Sequence, residues 1–150
     1  MSNEEIKSYI LSVAPTAIFD ENGEWLNVNI ESVQWLPLAK NLRDSIFQFD
    51  YLFCLTCIDW KTHLTAVYHL SSTQYRHTIV IKSNLDSEKP EIETVSGIWR
   101  TAEFHEREVY ELFGVTFLHH PDLRKLILTD DFEGYPLRKN FEDPINMIKL

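Results

Sequence analysis

Cys54 and Cys57 carry the most reactive side chains of this chain, and their C-x-x-C spacing is that of a redox or metal-binding pair. They lie inside the apolar run Tyr51 to Ile58, not at the start of a helix. Residues three apart on a strand face opposite sides, so the two thiols diverge. With only 2 cysteines in 150 residues, a zinc or iron–sulfur site needs ligands from another chain. The pair reads as small buried hydrophobes in a reducing compartment. His105-Glu106 opens like a zinc-protease helix, but Val109 stands where the second histidine belongs. His119-His120 beside Asp122 has the right atoms for a metal, yet adjacent side chains seldom converge on one ion, and capping or interface hydrogen bonds suit them better. Gly23, Gly97, Gly114 and Gly134 are scattered, which excludes a glycine-rich phosphate loop, and no serine is flanked as a nucleophile. The expectation is a chain with no catalytic, cofactor-binding or metal residue of its own.

The charged residues cluster instead around one helix and the tail behind it. The spacing predicts a helix over 98–113, with Trp99, Ala102, Val109, Tyr110 and Phe113 as its apolar face. It ends at Gly114, where a left-handed cap fits. Glu103, Arg107 and Glu111 are each four apart and are expected to form ion pairs on its exposed side. Glu106 falls on the apolar face, which predicts a buried carboxylate paired with an arginine of the tail or of a partner. After Leu118 no helical or strand period persists. The segment Pro121 to Phe141 sets Arg124, Lys125, Arg138 and Lys139 against Asp122, Asp130, Asp131 and Glu133. Such local neutrality suits docking, so Arg138→Ala is expected to leave the isolated fold nearly intact and to weaken assembly.

The elements that must position these residues read as one α+β domain over 1–118 followed by an irregular docking tail over 119–150. Ile6, Ile10 and Val13 make a first helix ended by Pro15. Leu26, Val28 and Ile30 alternate as a strand. Leu36, Ala39, Leu42 and Ile46 make a second helix with Pro37 in its first turn. Phe49 to Asp59 reads as a central strand, and His63–Leu70 with Tyr75–Lys82 as a hairpin turning at 71–74. A polar loop follows from Asn84 to Glu91. This order predicts two layers, with helices packed on a mostly antiparallel or mixed sheet.

Composition agrees. At 44% hydrophobic, the chain can bury one core. Its longest apolar run is far short of the ~18–20 residues of a membrane-spanning helix. The acidic start Met1 to Glu5 has no apolar core behind it, so neither export nor a transit peptide is expected. A net charge of −9 repels nucleic acid and anionic lipid.

Three blocks now stand in order: Glu106-Arg107-Glu108 with Phe113-Gly114, His120 to Lys125, and Glu133-Gly134-Tyr135-Pro136-Leu137-Arg138-Lys139. Together they resemble the signature of the C subunit of respiratory complex I, the proton-translocating NADH–quinone oxidoreductase. A weaker resemblance covers roughly Trp25 to Trp99, including Asp59 and Val67-Tyr68-His69-Leu70.

The resemblance implies a non-catalytic subunit of the peripheral arm, in the quinone-reducing module. It implies packing on the D subunit and near cluster-bearing subunits, with FMN, iron–sulfur clusters and quinone held elsewhere. It places the chain at the cytoplasmic face of the cell membrane, touching the membrane only through the complex. It points to Glu106, Arg107, Glu108, Arg124, Lys125, Tyr135, Arg138 and Lys139 as the subunit interface. With the chain ending at Leu150, D is expected as a separate polypeptide. The same signature occurs in the matching subunit of membrane-bound nickel–iron hydrogenases and of dehydrogenases with other electron donors. A free assembly module using the tail alone is the reading outside that class.

Overall fold

The computed structural model describes residues 2–142. In chain order it contains α1 (Asn3–Val13), β1 (Ile18–Asp20), β2 (Leu26–Ile30), α2 (Ser32–Asp44) and β3 (Tyr51–Asp59). There follow β4 (His63–Ser72), β5 (His77–Asp86), β6 (Glu91–Glu93), α3 (Ala102–Phe113) and β7 (Thr116–Leu118). Five strands form a mixed sheet in the order β1-β2-β5-β4-β3, in which β2 and β5 run parallel and the other pairs antiparallel. β6 and β7 form a separate parallel pair. This is the α+β architecture that the sequence predicts.

Alternation places Leu26, Val28 and Ile30 of β2, Leu64, Ala66, Tyr68 and Leu70 of β4, and Ile79 and Ile81 of β5 on one face of the sheet. Ile6 and Ile10 of α1, Trp35, Leu38 and Leu42 of α2, and Val109 of α3 close one continuous core over that face. The first helix is capped by Ser2, whose hydroxyl accepts from the Glu5 N–H.

Several elements differ from the sequence reading. β3 lies at the edge of the sheet, not at its centre. Its apolarity comes from cover on both sides. Leu52, Leu55 and Cys57 face the core, while Phe53 packs against Trp25, Tyr51 and His69 on the other face. Side chains from the approach to α3 also cap carbonyls here: Trp99 Nε1 donates to Phe49 O and Thr101 Oγ1 to Leu52 O. α2 starts at Ser32, a turn early, so Pro37 lies inside it; Ile46 falls beyond its end and is 77% exposed. Burial of Trp35 and Leu38 outweighs the hydrogen bond that Pro37 lacks. The β4–β5 hairpin turns at 73–76 because Asp50 accepts from both the backbone N–H and the hydroxyl of Thr73. β5 continues through Asn84 to Asp86, and the loop that follows ends in β6. The strands β1 and β7 are too short, at 3 residues each, for any period to reveal them. Before Ala102, the stretch from Ile98 is a run of turns that buries Trp99.

Candidate functional site

Beyond β7 the described tail has no helix or strand, and α3 holds it along most of its length. The grip starts at His120. Its Nε2 donates to Glu103 O at 3.0 Å while its Nδ1 accepts from the Asp122 N–H at 2.9 Å, which fixes the neutral tautomer. One turn further along α3, Arg107 donates through Nε to Arg124 O and through Nη2 to Lys125 O, each at 3.1 Å. A turn beyond that, the Glu111 carboxylate accepts the backbone N–H groups of Leu126, Ile127 and Leu128 at 2.7–3.2 Å. At the helix end, Leu137 N–H reaches Leu112 O, and Arg138 reaches Phe113 O at 2.6 Å and Ser87 O at 2.9 Å. Lys139 N–H then joins the tail to β3 by donating to Asp59 Oδ2 at 2.8 Å.

This arrangement corrects the expectation of exposed ion pairs along Glu103, Arg107 and Glu111. Arg107 and Glu111 are buried, and both are spent on tail backbone. A tail without ladders leaves N–H and C=O groups that must find partners, and charged side chains are the strongest available. The sequence signal was present as a charged stripe followed by an aperiodic segment.

Glu106 is fully buried, as its place on the apolar face implied, but its partner is no arginine. Its carboxylate accepts from the Thr94 hydroxyl and, at 3.0 Å, from the Val95 N–H. His120 Nε2 stands 3.8 Å away, outside hydrogen-bond range, and serves Glu103 instead. Burial pushes the Glu106 carboxyl up to about 7, against the pull of the Thr94 and Val95 hydrogen bonds.

Gly114 has φ 81, and a Cβ there would stand 2.7 Å from the Tyr135 ring. The cap glycine therefore serves twice: it ends α3 in the left-handed region, and it leaves the room in which Tyr135 lies. Lys125 Nζ is folded back onto the carbonyls of Thr129, Asp130 and Phe132. Arg124 points outward, with its side chain 70% exposed and Nε on both Asp122 oxygens at 3.0 Å. Glu108 is half-buried beside β3, where it adds to burial in pushing the Cys54 thiol up. The sequence reading gave Glu111 a surface ion pair instead of the tail backbone, and missed Thr94 and the exposed apolar side chains Phe104, Leu126, Ile127 and Leu137.

Cys57 is buried, and burial raises its thiol to about 12. Among the described residues no three His, Cys, Asp or Glu side chains gather as a metal site. A cleft of about 350 Å³ between β3 and the tail is lined by both charge signs, from Asp59, Lys61, Glu88, Arg138 and Lys139. The described tail is thus clamped along α3 and, at Lys139, onto β3.

Known proteins share this build. The chain belongs to the family described as respiratory-chain NADH dehydrogenase, 30 Kd subunit, whose model matches residues 28–144. The C/D subunit of the NADH-quinone oxidoreductase of Phocaeicola vulgatus is 47% identical over 103 residues, covering 67% of this chain and 20% of that protein. The C subunit of the NADH-quinone oxidoreductase of Chloroherpeton thalassium is 38% identical over 117 residues, covering 75% of this chain and 49% of the relative. The C subunit of the F(420)H(2) dehydrogenase of Methanosarcina mazei is 41% identical over 108 residues, covering 70% and 68%. This chain thus spans half or less of the first two relatives. Among solved structures, the trypsin-resistant fragment of Nqo5 matches with TM-score 0.72 at 25% identity, covering 82% of this chain and all of that one. A chain of the membrane-bound sulfane sulfur reductase, an archaeal respiratory membrane complex, matches with TM-score 0.76 at 30% identity, covering 93% and 85%.

Proposed function

We propose that this chain is a non-catalytic subunit of the peripheral arm of a proton-translocating NADH–quinone oxidoreductase, packed on the D-type subunit in the quinone-reducing module. The observation that carries this reading is the family match over 28–144, which takes in both α3 and the tail clamped to it. Relatives in which C and D form one polypeptide favour the D-type subunit as the neighbour. FMN, iron–sulfur clusters and quinone belong to other subunits in this reading, and cluster-bearing subunits are further neighbours. In this reading the chain meets the membrane only through the complex, at its cytoplasmic face; no helix among the described residues is long and apolar enough to cross a membrane.

The docking element is the tail, 119–150, on a body of 1–118; residues 143–150 lie outside the described residues. The eight interface residues divide by role. Arg124, Tyr135 and Lys139 are exposed and face a neighbour directly. Arg107, Lys125 and Arg138 set the shape that the neighbour meets, Glu106 braces the turn before α3 from within, and Glu108 lies at the border with β3.

A second reading keeps the same role with another donor module. The 41% identity to a chain of an F(420)H(2) dehydrogenase and the likeness to a sulfane sulfur reductase chain favour it, and a nickel–iron hydrogenase is the further case. Purifying the tagged chain from its host membranes and identifying its companions decides between them. A flavin-and-cluster NADH module with a D-type subunit is expected. A hydrogenase or other donor module shifts the reading to the second form. A chain without companions overturns both and leaves a free assembly module.

A further inference from the structure

The tail contains one segment whose backbone is fixed far more tightly than its side chains. Two buried charged residues of α3, Arg107 and Glu111, hold the backbone from Arg124 to Leu128 through both its carbonyls and its N–H groups. Burying a guanidinium and a carboxylate strips both of hydration, a cost that only complete hydrogen bonding offsets. Yet what they hold in place is an apolar tip: Leu126 is 41% exposed and Ile127 is 69% exposed. Leu137, 53% exposed, is tied to the same helix end, its N–H bonded to the carbonyl of Leu112, the residue after Glu111. Phe104, 55% exposed, lies on α3 with its ring centroid 5.8 Å from the guanidinium of Arg107 that holds the tip. Two of the four cations expected from the sequence to grip a neighbour turn away from it: Lys125 folds back onto backbone carbonyls and Arg138 onto Phe113 and Ser87.

We propose that Leu126 and Ile127, together with Phe104 and Leu137, form a preformed apolar anchor that inserts into an apolar hollow on the D-type subunit, with Arg107 and Glu111 as positioning residues. The inference rests on the proposed function, since it names how that partner is held. A fixed loop loses little conformational freedom on binding, and an apolar centre ringed by polar groups is how the tightest part of an interface is built. Polar residues for such a rim stand on both sides in sequence, with exposed Arg124 before the tip and exposed Asp130, Asp131 and Glu133 after it. The partner's hollow is therefore apolar with basic groups toward the acidic flank. Relatives that carry C and D in one polypeptide keep that partner beside this domain at all times, which selects it as the occupant over a second copy of this chain.

The test co-expresses the full chain with the D-type subunit of its own organism and measures their affinity and the Tm of the isolated chain. Ile127→Asp is expected to weaken binding at least about tenfold, the scale of one large apolar side chain, with Tm unchanged. Ile18→Asp, at an equally exposed residue on β1, is expected to bind as the wild type does. Glu111→Gln is expected to weaken binding alone but to add nothing on top of Ile127→Asp, which a merely stabilising role would not produce. Wild-type affinity in Ile127→Asp overturns the anchor while leaving the proposed function standing. Failure of the wild-type chain to bind the D-type subunit overturns the proposed function and the anchor together. Self-association of the isolated chain that Ile127→Asp abolishes overturns the choice of occupant.

Discussion

Replacing Glu106 with glutamine should make this protein more stable at neutral and alkaline pH, by an amount that grows as pH rises. The wild-type carboxyl is fully buried and is displaced upward from 4.5 to about 7. The folded state therefore holds a proton that the unfolded state releases between those values. The contribution of Glu106 to stability is greatest below pH 4.5, falls as pH rises through that window, and levels off above about 7. At about 1.4 kcal/mol per pKa unit, ionised Glu106 costs the fold on the order of 3 kcal/mol. Glutamine keeps the shape and removes the titration. Its oxygen can accept the Val95 N–H, and its amide can donate to Thr94 Oγ1, which stands 2.9 Å from Ser96 Oγ. Urea unfolding of both proteins from pH 4 to 8.5 should show the smallest difference at the acid end. Toward the alkaline end the variant should gain up to ~3 kcal/mol. Taking the difference cancels titrations common to both chains. A difference that stays constant across the range would refute the reasoning, because it would mean that Glu106 is not the group giving up the proton.

Gly114→Val should lower stability by about 1–2 kcal/mol from the left-handed backbone alone, and by more because its Cβ must displace Tyr135; equal melting temperatures would place the helix end elsewhere. Arg138→Ala, which the sequence alone suggests would spare the isolated fold, should instead free the tail, since it removes the hydrogen bonds to Phe113 O and Ser87 O. Limited proteolysis should then cut within 120–142 sooner than in the wild type, and an unchanged digestion pattern would count against the clamp. Cys57, with its thiol pushed up to about 12, should resist alkylation at pH 8 in the folded protein and label fully in denaturant. Rapid labelling of native Cys57 would show that β3 opens readily.

The helices, the hairpin and the α+β class were legible because their signals are local: spacing of apolar residues, a proline after Ala14, a glycine after Phe113. The place of β3 was not, since an apolar run reads the same at a sheet's centre as at an edge covered on both sides. The eight residues proposed as the interface came from the resemblance, and the individual contacts of those on α3 and the tail were not legible. Spacing placed Arg107 and Glu111 within reach of each other, whereas the backbone of 124–128 offered each of them better partners. Glu106 was recognisable as buried from its helix face, but Thr94 and Val95 belong to a turn with no pattern of its own. The apolar anchor left no sequence signal because Leu126 and Ile127 stand between charged residues and follow no period.

The most direct test of the central claim is electron transfer in the host membrane. Depleting this chain should reduce NADH-to-quinone electron flow in isolated membranes to background, and re-expressing the wild-type chain should restore it. Undiminished NADH-to-quinone flow in membranes free of this chain would contradict its assignment as a subunit of that oxidoreductase.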